Sequence, residues 1–318
     1  MTSIPKKHDV SIYIGRFQIF HNGQLALLRR ALEAAPLCIV VLGSAWQART
    51  PKNPFTWQER AEMIRLALPE ADRDRVHFLP VRDYYDQERW VSAVKHGVVK
   101  LAGEKSGTLP VLVGHFKDAT SEYLKNFPGW TLDAVESQGR IDASALRDAY
   151  FGNAGAALEP ALAALVSQAP ASTIAFLRTW AALPYFHELA QEWESLRKEK
   201  AKWAGSPYAP VFVTVDAVVK CSGRVEEETG MRLLEGDMKN ALKAVHVFDH
   251  PDRSLRGRVI THAHFFDLGS RQLPEVQAAD DAADAEWIPV DQLAAMEDRF
   301  HDDHFHMLDF FFALTERI

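Results

Sequence analysis

A histidine standing just ahead of a helix, behind a glycine that closes a strand, is chemistry suited to a phosphate. Residues 10–14, Val-Ser-Ile-Tyr-Ile, are β-rich and stop at Gly15. The turn-rich residues 16–23 follow, and then Leu25, Leu28, Leu32 and Ala35 recur at helical spacing with Ala31 on the same face. A strand end feeding a helix start gathers unpaired N–H groups and the positive end of the helix dipole, which favour an anion. Gly15 would let a ligand approach the backbone closely. His21 could donate to a phosphoryl oxygen, and Asn22 or Gly23 would cap the helix. Ser144 precedes another apolar helical run with Arg147 one turn later, so both would reach the same helix end; the plainer role for Ser144 is an N-cap. Arg253, Arg256 and Arg258 could bind a diphosphate or simply face solvent. Residues 301–304, His-Asp-Asp-His, have metal-ligand types but read more simply as a polar helix start.

These groups need elements to position them. Residues 37–42 are a continuous apolar run, the pattern of a strand covered on both faces. A helical stretch at 56–68, a strand at 76–81, a helix at 90–101 and a strand at 109–113 follow. Strands alternating with helices predict a doubly wound α/β domain with a parallel sheet. Residues 152–202 turn to Ala, Leu and Glu, and Pro160, Pro170 and Pro184 divide them into several short helices. Gly205-Ser206-Pro207 marks a boundary, and β-rich runs at 211–219, 244–248 and 259–267 predict an α+β domain with mixed or antiparallel pairing. The expected division is 1–185, a linker at 186–205, and 206–318.

The 318 residues suit two domains. Lys+Arg number 36 against 43 Asp+Glu, so the net charge of -7 provides no global basic footprint for nucleic acid or an anionic membrane. The two cysteines, Cys38 and Cys221, cannot build a disulfide framework or a zinc cluster, and read as reduced thiols of a cytoplasmic protein. The N-terminus is too polar for a signal peptide, and no run approaches a membrane span.

Residues 15–24 resemble the GRFQPFHxGH signature of archaeal-type nicotinamide mononucleotide (NMN) adenylyltransferases, within the nucleotidyltransferase superfamily. Residues 43–45 followed by 52–60 are similar to that family's NPFTxxER stretch, and Val81-Arg82-Asp83 before Trp90 is similar to its substrate segment. Gly114-His115-Phe116-Lys117-Asp118 and residues 141–147, similar to its ISxTxxR phosphate motif, complete an ordered set. The resemblance implies an ATP site at Gly15, Arg16, Phe17, His21, Gly23, Gln24, Ser144 and Arg147. It implies an NMN site at Asn53, Arg60, Asp83 and Trp90, with Trp90 stacked on the nicotinamide ring. Catalysis would rest on His21, Gln24, Lys117 and Arg147 with Mg²⁺, joining ATP and NMN into NAD and pyrophosphate. Two positions depart from the pattern. Ile19 stands where the family usually has Pro, and Gln24 where the second histidine of HxGH should be. Gln24 can donate only a neutral hydrogen bond, and charge-assisted bonds are roughly twice as strong.

Residues 224–231, Arg-Val-Glu-Glu-Glu-Thr-Gly-Met, look like the end of a Nudix box, and residues 248–258 resemble ADP-ribose pyrophosphatase domains fused to NMN adenylyltransferases. The box fails in register. With Glu227 and Glu228 on its paired glutamates, Gly223 falls on the required Arg, Val215 on an earlier Glu and Ala209 on the opening Gly. A missing internal segment of about 30 residues is the simplest account, given the strand, loop and helix that the motif requires. Only Glu227 and Glu228 would remain to hold a metal, so the domain either hydrolyses ADP-ribose or only binds it. The alternatives are another nucleotidyltransferase of pantetheine-phosphate or cytidylyl type, and a nucleotide-sensing regulatory protein. A homo-oligomer is compatible with either.

Overall fold

The structure is a computed structural model that describes residues 8–103, 110–114, 125–135, 141–152, 158–227, 235–251, 253–276 and 285–315, with the side chains of Glu226, Glu227, Glu235 and Asp237 outside the description. The chain divides into two compact units, Met1–Ser195 and Leu196–Arg317.

The first unit contains β1 (Val10–Gly15), α1 (Asn22–Ala34), β2 (Leu37–Leu42), α2 (Trp57–Ala67), α3 (Glu70–Arg73), β3 (Val76–Pro80), α4 (Gln87–Ala102), β4 (Val111–Gly114), β5 (Thr131–Ala134), α5 (Ala143–Gly152), α6 (Leu158–Leu165) and α7 (Ala171–Trp180). Helix α8 (Pro184–Lys202) carries the chain across the division, so most of the stretch expected as a linker is helical. The strands form one parallel sheet in the order β3-β2-β1-β4-β5. Strand period 2 explains its two cores. Tyr13, Cys38, Val40, Leu42, Val111 and Val113 enter one, while Val10, Ile12, Ile14, Ile39, Val41 and Leu112 enter the other. That is the doubly wound architecture expected. Its chain order reverses at β1, and ligands of such sheets bind at strand C-termini beside that reversal.

The second unit contains β6 (Val211–Cys221), β7 (Arg224–Glu227), α9 (Glu235–Ala241), β8 (Leu242–Phe248), β9 (Arg258–Asp267), β10 (Ile288–Pro289), α10 (Val290–Leu293) and α11 (His304–Phe312). Its mixed sheet runs β10-β7-β6-β9-β8, with β6 and β9 parallel and the other pairs antiparallel. Among the described residues no helix is long and apolar enough to cross a membrane.

Residues 224–227, the part of the box-like stretch that the structure describes, are strand. Ser222 and Gly223, with φ of 48° and 74°, make a two-residue hairpin turn that pairs Arg224 with Cys221. The carboxylates therefore lack the helical backbone that would gather them at one metal, and Glu228 lies outside the described residues. Arg253, expected either to bind a diphosphate or to face solvent, does not face solvent. It is buried, it donates to both carboxylate oxygens of Asp303 at 2.6 and 3.1 Å, and its guanidinium lies 5.7 Å from the Phe248 ring centroid. Asp303 heads α11, so the polar residues 301–304 are a helix start, while Arg256 is exposed and Arg258 reaches Asp249 at 3.3 Å.

Candidate functional site

The turn after β1 is built around its own side chains. His21, not Asn22 or Gly23, caps α1. Its Nδ1 accepts the Gln24 N–H at 3.4 Å, and the Gln24 Oε1 accepts the His21 N–H at 3.3 Å. This reciprocal box is the pattern in which Gln at the third helical position is favoured. The Gln24 carbonyl is thereby committed to the backbone. With Nδ1 accepting, a neutral imidazole carries its proton on Nε2. Gly23 lies close beside it: a Cβ there would sit 3.3 Å from Cε1 and Nδ1 of the ring, a tight contact that the ring would have to yield to.

Gly15 makes room for a neighbour. A Cβ there would lie 2.9 Å from the Phe17 ring. That ring is 1% exposed and meets Tyr13 edge-on at 5.1 Å, so the Phe17 side chain belongs to the core and only its backbone is left for the expected ATP contact. Gln18 ties the turn to residue 55: its amide donates to the Phe55 carbonyl and accepts the Phe55 N–H, both at 3.0 Å. Nothing in the local sequence signals this bond, because the two residues are 37 apart.

Arg147 reaches the same turn from far along the chain. It donates to the Gln18 carbonyl and, at 3.1 Å, to the Ser144 hydroxyl. Asp142 accepts the Ser144 N–H at 2.9 Å, so the capping bond at the start of α5 comes from Asp142 and the Ser144 hydroxyl is turned to Arg147. Burial, reinforced by the charge of Arg16, pushes Arg147 down to about 10, which still leaves it cationic at neutral pH. Arg16 is exposed. His21, Ser144 and Arg147 are thus gathered around one turn, while Lys117 lies outside the described residues.

Arg60, expected at the NMN site, is an internal clamp in this structure. It is fully buried and donates to the carbonyls of Arg16 at 2.6 Å, Gly43 at 2.7 Å, Ser44 at 3.2 Å and Thr56 at 3.3 Å. Burial pushes it down to about 10, opposed by the nearby Asp83 carboxylate. Arg60 therefore joins the loops that follow β1 and β2. Asp83 joins the loops after β2 and β3 by accepting from Ser44 Oγ at 2.7 Å, Ser44 N at 3.2 Å and Gln47 Nε2 at 3.1 Å. Asn53 donates to Gln47 at 3.1 Å, which extends the chain of amides. Trp90, in the first turn of α4, is half-buried and lies 5.9 Å from Phe127 at 68°.

A second lock holds the residues before α2. Arg49 donates to both Glu59 oxygens at 2.6 and 2.9 Å, and lies 4.3 Å from the Tyr185 ring centroid. Glu59 also accepts from Trp180 at 2.9 Å and from the Thr56 N–H at 2.8 Å. Burial alone would push the Glu59 carboxyl up, but these bonds from Arg49, Trp180 and Thr56 outweigh it and hold it below the usual range.

Comparison with known proteins accords with this geometry. A cytidylyltransferase-like family model matches residues 12–102. A nicotinamide/nicotinic acid mononucleotide adenylyltransferase of Acinetobacter baylyi is 36% identical over 190 residues, spanning 59% of this chain and 95% of that protein. A nicotinamide-nucleotide adenylyltransferase of Picrophilus torridus is 40% identical over 82 residues, 26% of this chain and 48% of that one. The crystal structure of a bifunctional NMN adenylyltransferase/ADP ribose pyrophosphatase from Francisella tularensis is 28% identical, with a TM-score of 0.85 over 96% of this chain and 99% of that chain. Its complex with AMP and a Mn ion matches with a TM-score of 0.84 at 27% identity, over 96% and 99% of the two chains.

Proposed function

The chain belongs to the nicotinamide/nicotinic acid mononucleotide adenylyltransferase family, and from that premise we propose that its first unit transfers the adenylyl group of ATP to NMN, giving NAD and pyrophosphate. The observation that carries the site assignment is the meeting of Arg147 and Ser144 with the turn that ends in His21. An oxygen of the NMN 5′-phosphate attacks the α-phosphorus of ATP in line. The bond to the bridging oxygen of the β-phosphate breaks, and pyrophosphate leaves with that electron pair. The nucleophile is already anionic, so the protein's work is positioning and neutralisation of charge. The amides at the α1 N-terminus and Nε2–H of His21 face the reacting phosphate, while Arg147 and Ser144 hold the phosphates that leave.

Because α5 follows β5, the triphosphate belongs on the β4–β5 side of β1. NMN then lies toward β2 and β3, beside Asp83, Asn53 and Trp90. Mg²⁺ fits as a companion of the nucleotide phosphates, its usual mode of binding. Among the described residues no group of three His, Cys, Asp or Glu side chains could hold a cation, so no step is assigned to it.

Incubation with ATP, NMN and Mg²⁺ should yield NAD and pyrophosphate on chromatography. His21→Ala should lower kcat by ~10²–10³, the usual effect of removing one transition-state donor. Unchanged turnover would overturn the role of His21.

The second unit is proposed to bind ADP-ribose without efficient hydrolysis. Support comes from the strand backbone of residues 224–227, where the motif requires a helix.

A further inference from the structure

Strand β8 ends the sheet order β10-β7-β6-β9-β8, and among the described residues it pairs with β9 on one side only. The strand at the other end, β10, is two residues long. An open edge presents a row of N–H and C=O groups, which natural proteins blunt with charges, proline or very short strands. Residues 244–248 of β8, Ala-Val-His-Val-Phe, contain no lysine, carboxylate or proline. Their alternation leaves Val245 50% and Val247 43% exposed on one face. On the other face His246 stacks on Phe310 at 4.0 Å, and that phenyl ring is itself half exposed. A charge stands at each end of this apolar stretch. Lys243 is exposed at the bulge in the pairing with β9, and Asp249 follows the last residue of the strand. The Asp249 side chain meets Arg258 at 3.3 Å and is still 65% exposed, which leaves room for a second cation.

We propose that β8 pairs with β8 of a second copy of this chain, antiparallel, across a two-fold axis at His246. A two-fold axis makes a surface its own partner, so residues at equal distances from the axis face each other. With the axis at residue 246, Lys243 faces the partner's Asp249 and Asp249 faces the partner's Lys243. Val245 and Val247 cover each other in the same way, and Ala244 faces the partner's Phe248. The charges select this register. An axis at residue 245 would set Lys243 against a valine, and an axis at residue 247 would do the same to Asp249. Charge complementarity also selects the occupant, because the strand carries the complement of its own end charges in reverse order. The pairing involves the second unit only and stands whether or not the first makes NAD.

Sedimentation velocity of the full chain, of Lys243→Glu and of Asp249→Lys tests this. The unaltered protein should sediment as a dimer at about 100 μM and dissociate on dilution toward ~1 μM, the weak end of the affinities that protein interfaces reach. Either substitution sets like charges against each other at both ends of the strand pair. Each should weaken association about tenfold or more, as two cross-strand pairs turn from attraction to repulsion. Both positions are exposed, so circular dichroism should show the fold retained. Mixed in equal amounts, the two variants recover an opposite charge at each end and should associate as tightly as the unaltered protein. An unaltered protein that stays monomeric throughout, a dimer indifferent to either substitution, or variants that fail to associate on mixing would overturn the proposal.

Discussion

Arg60 shows how fully the fold can engage a cation. A cation near a nucleotide site suggests an anion contact, yet this guanidinium donates to four backbone carbonyls and is fully buried. The Thr56 carbonyl would keep the Arg60 backbone N–H at 3.1 Å, but a methionine would take away the side-chain donor of the Arg16, Gly43 and Ser44 carbonyls, at about 1–3 kcal/mol each where no water replaces the bond. Arg60→Met should therefore lower stability by roughly 3 kcal/mol or more in urea unfolding. A direct nucleotide contact would instead raise a KM and leave the unfolding midpoint alone. Cys38 is the opposite case, where the sequence reading and the structure coincide. Burial, relieved slightly by a hydrogen bond with Ser11, pushes its thiol up to about 12, so it remains uncharged in the core.

At the scale of elements, the two helix starts beside the site, those of α1 and α2, are closed by capping boxes. Gln24→Ala removes half of the first box and should cost about 1 kcal/mol, read as a lower melting temperature. Gln24→Glu keeps the acceptor and should restore that stability, while its negative charge beside phosphates raises the KM for ATP. At the start of α2, Glu59 titrates below its usual range in the folded protein. A depressed folded value means that the ionised form is the one folding favours. Its contribution is complete above about pH 4.3, the ordinary value for Glu, and is lost as pH falls below it. Melting temperatures from pH 7 to pH 3 should thus fall less steeply in Glu59→Gln than in the unaltered protein. Parallel slopes would remove Glu59 from the acid response.

For the whole molecule, two units have kept their cores to different degrees of functional completeness. The first gathers Arg147 and Ser144 at the turn that ends in His21, the proposed phosphate site. The second has a mixed sheet, yet its motif residues 224–227 form a hairpin arm. ADP-ribose incubated with the protein and Mg²⁺ should release no AMP above the level without protein, and Glu227→Gln should change nothing. AMP release abolished by Glu227→Gln would show that the remnant is a working hydrolase after all. NAD synthesis by the first unit should be unaffected by that substitution.

Local order was legible in the residues themselves. The apolar run at 37–42 announced a strand covered on both faces, and alternating strands and helices announced the parallel sheet. Motifs in order at 15–24, 43–60, 81–90, 114–118 and 141–147 carried the family resemblance. These features depend on neighbours within a turn or two, or on motifs kept in order along the chain. Tertiary structure alone decided which polar groups are engaged inside the protein. Arg60, Gln18 and Asp83 find their partners 16 to 44 residues away, and Arg147 finds Gln18 at a separation of 129. Local spacing records none of those distances. The sheet closes them because buried donors and acceptors must find one another once water is excluded.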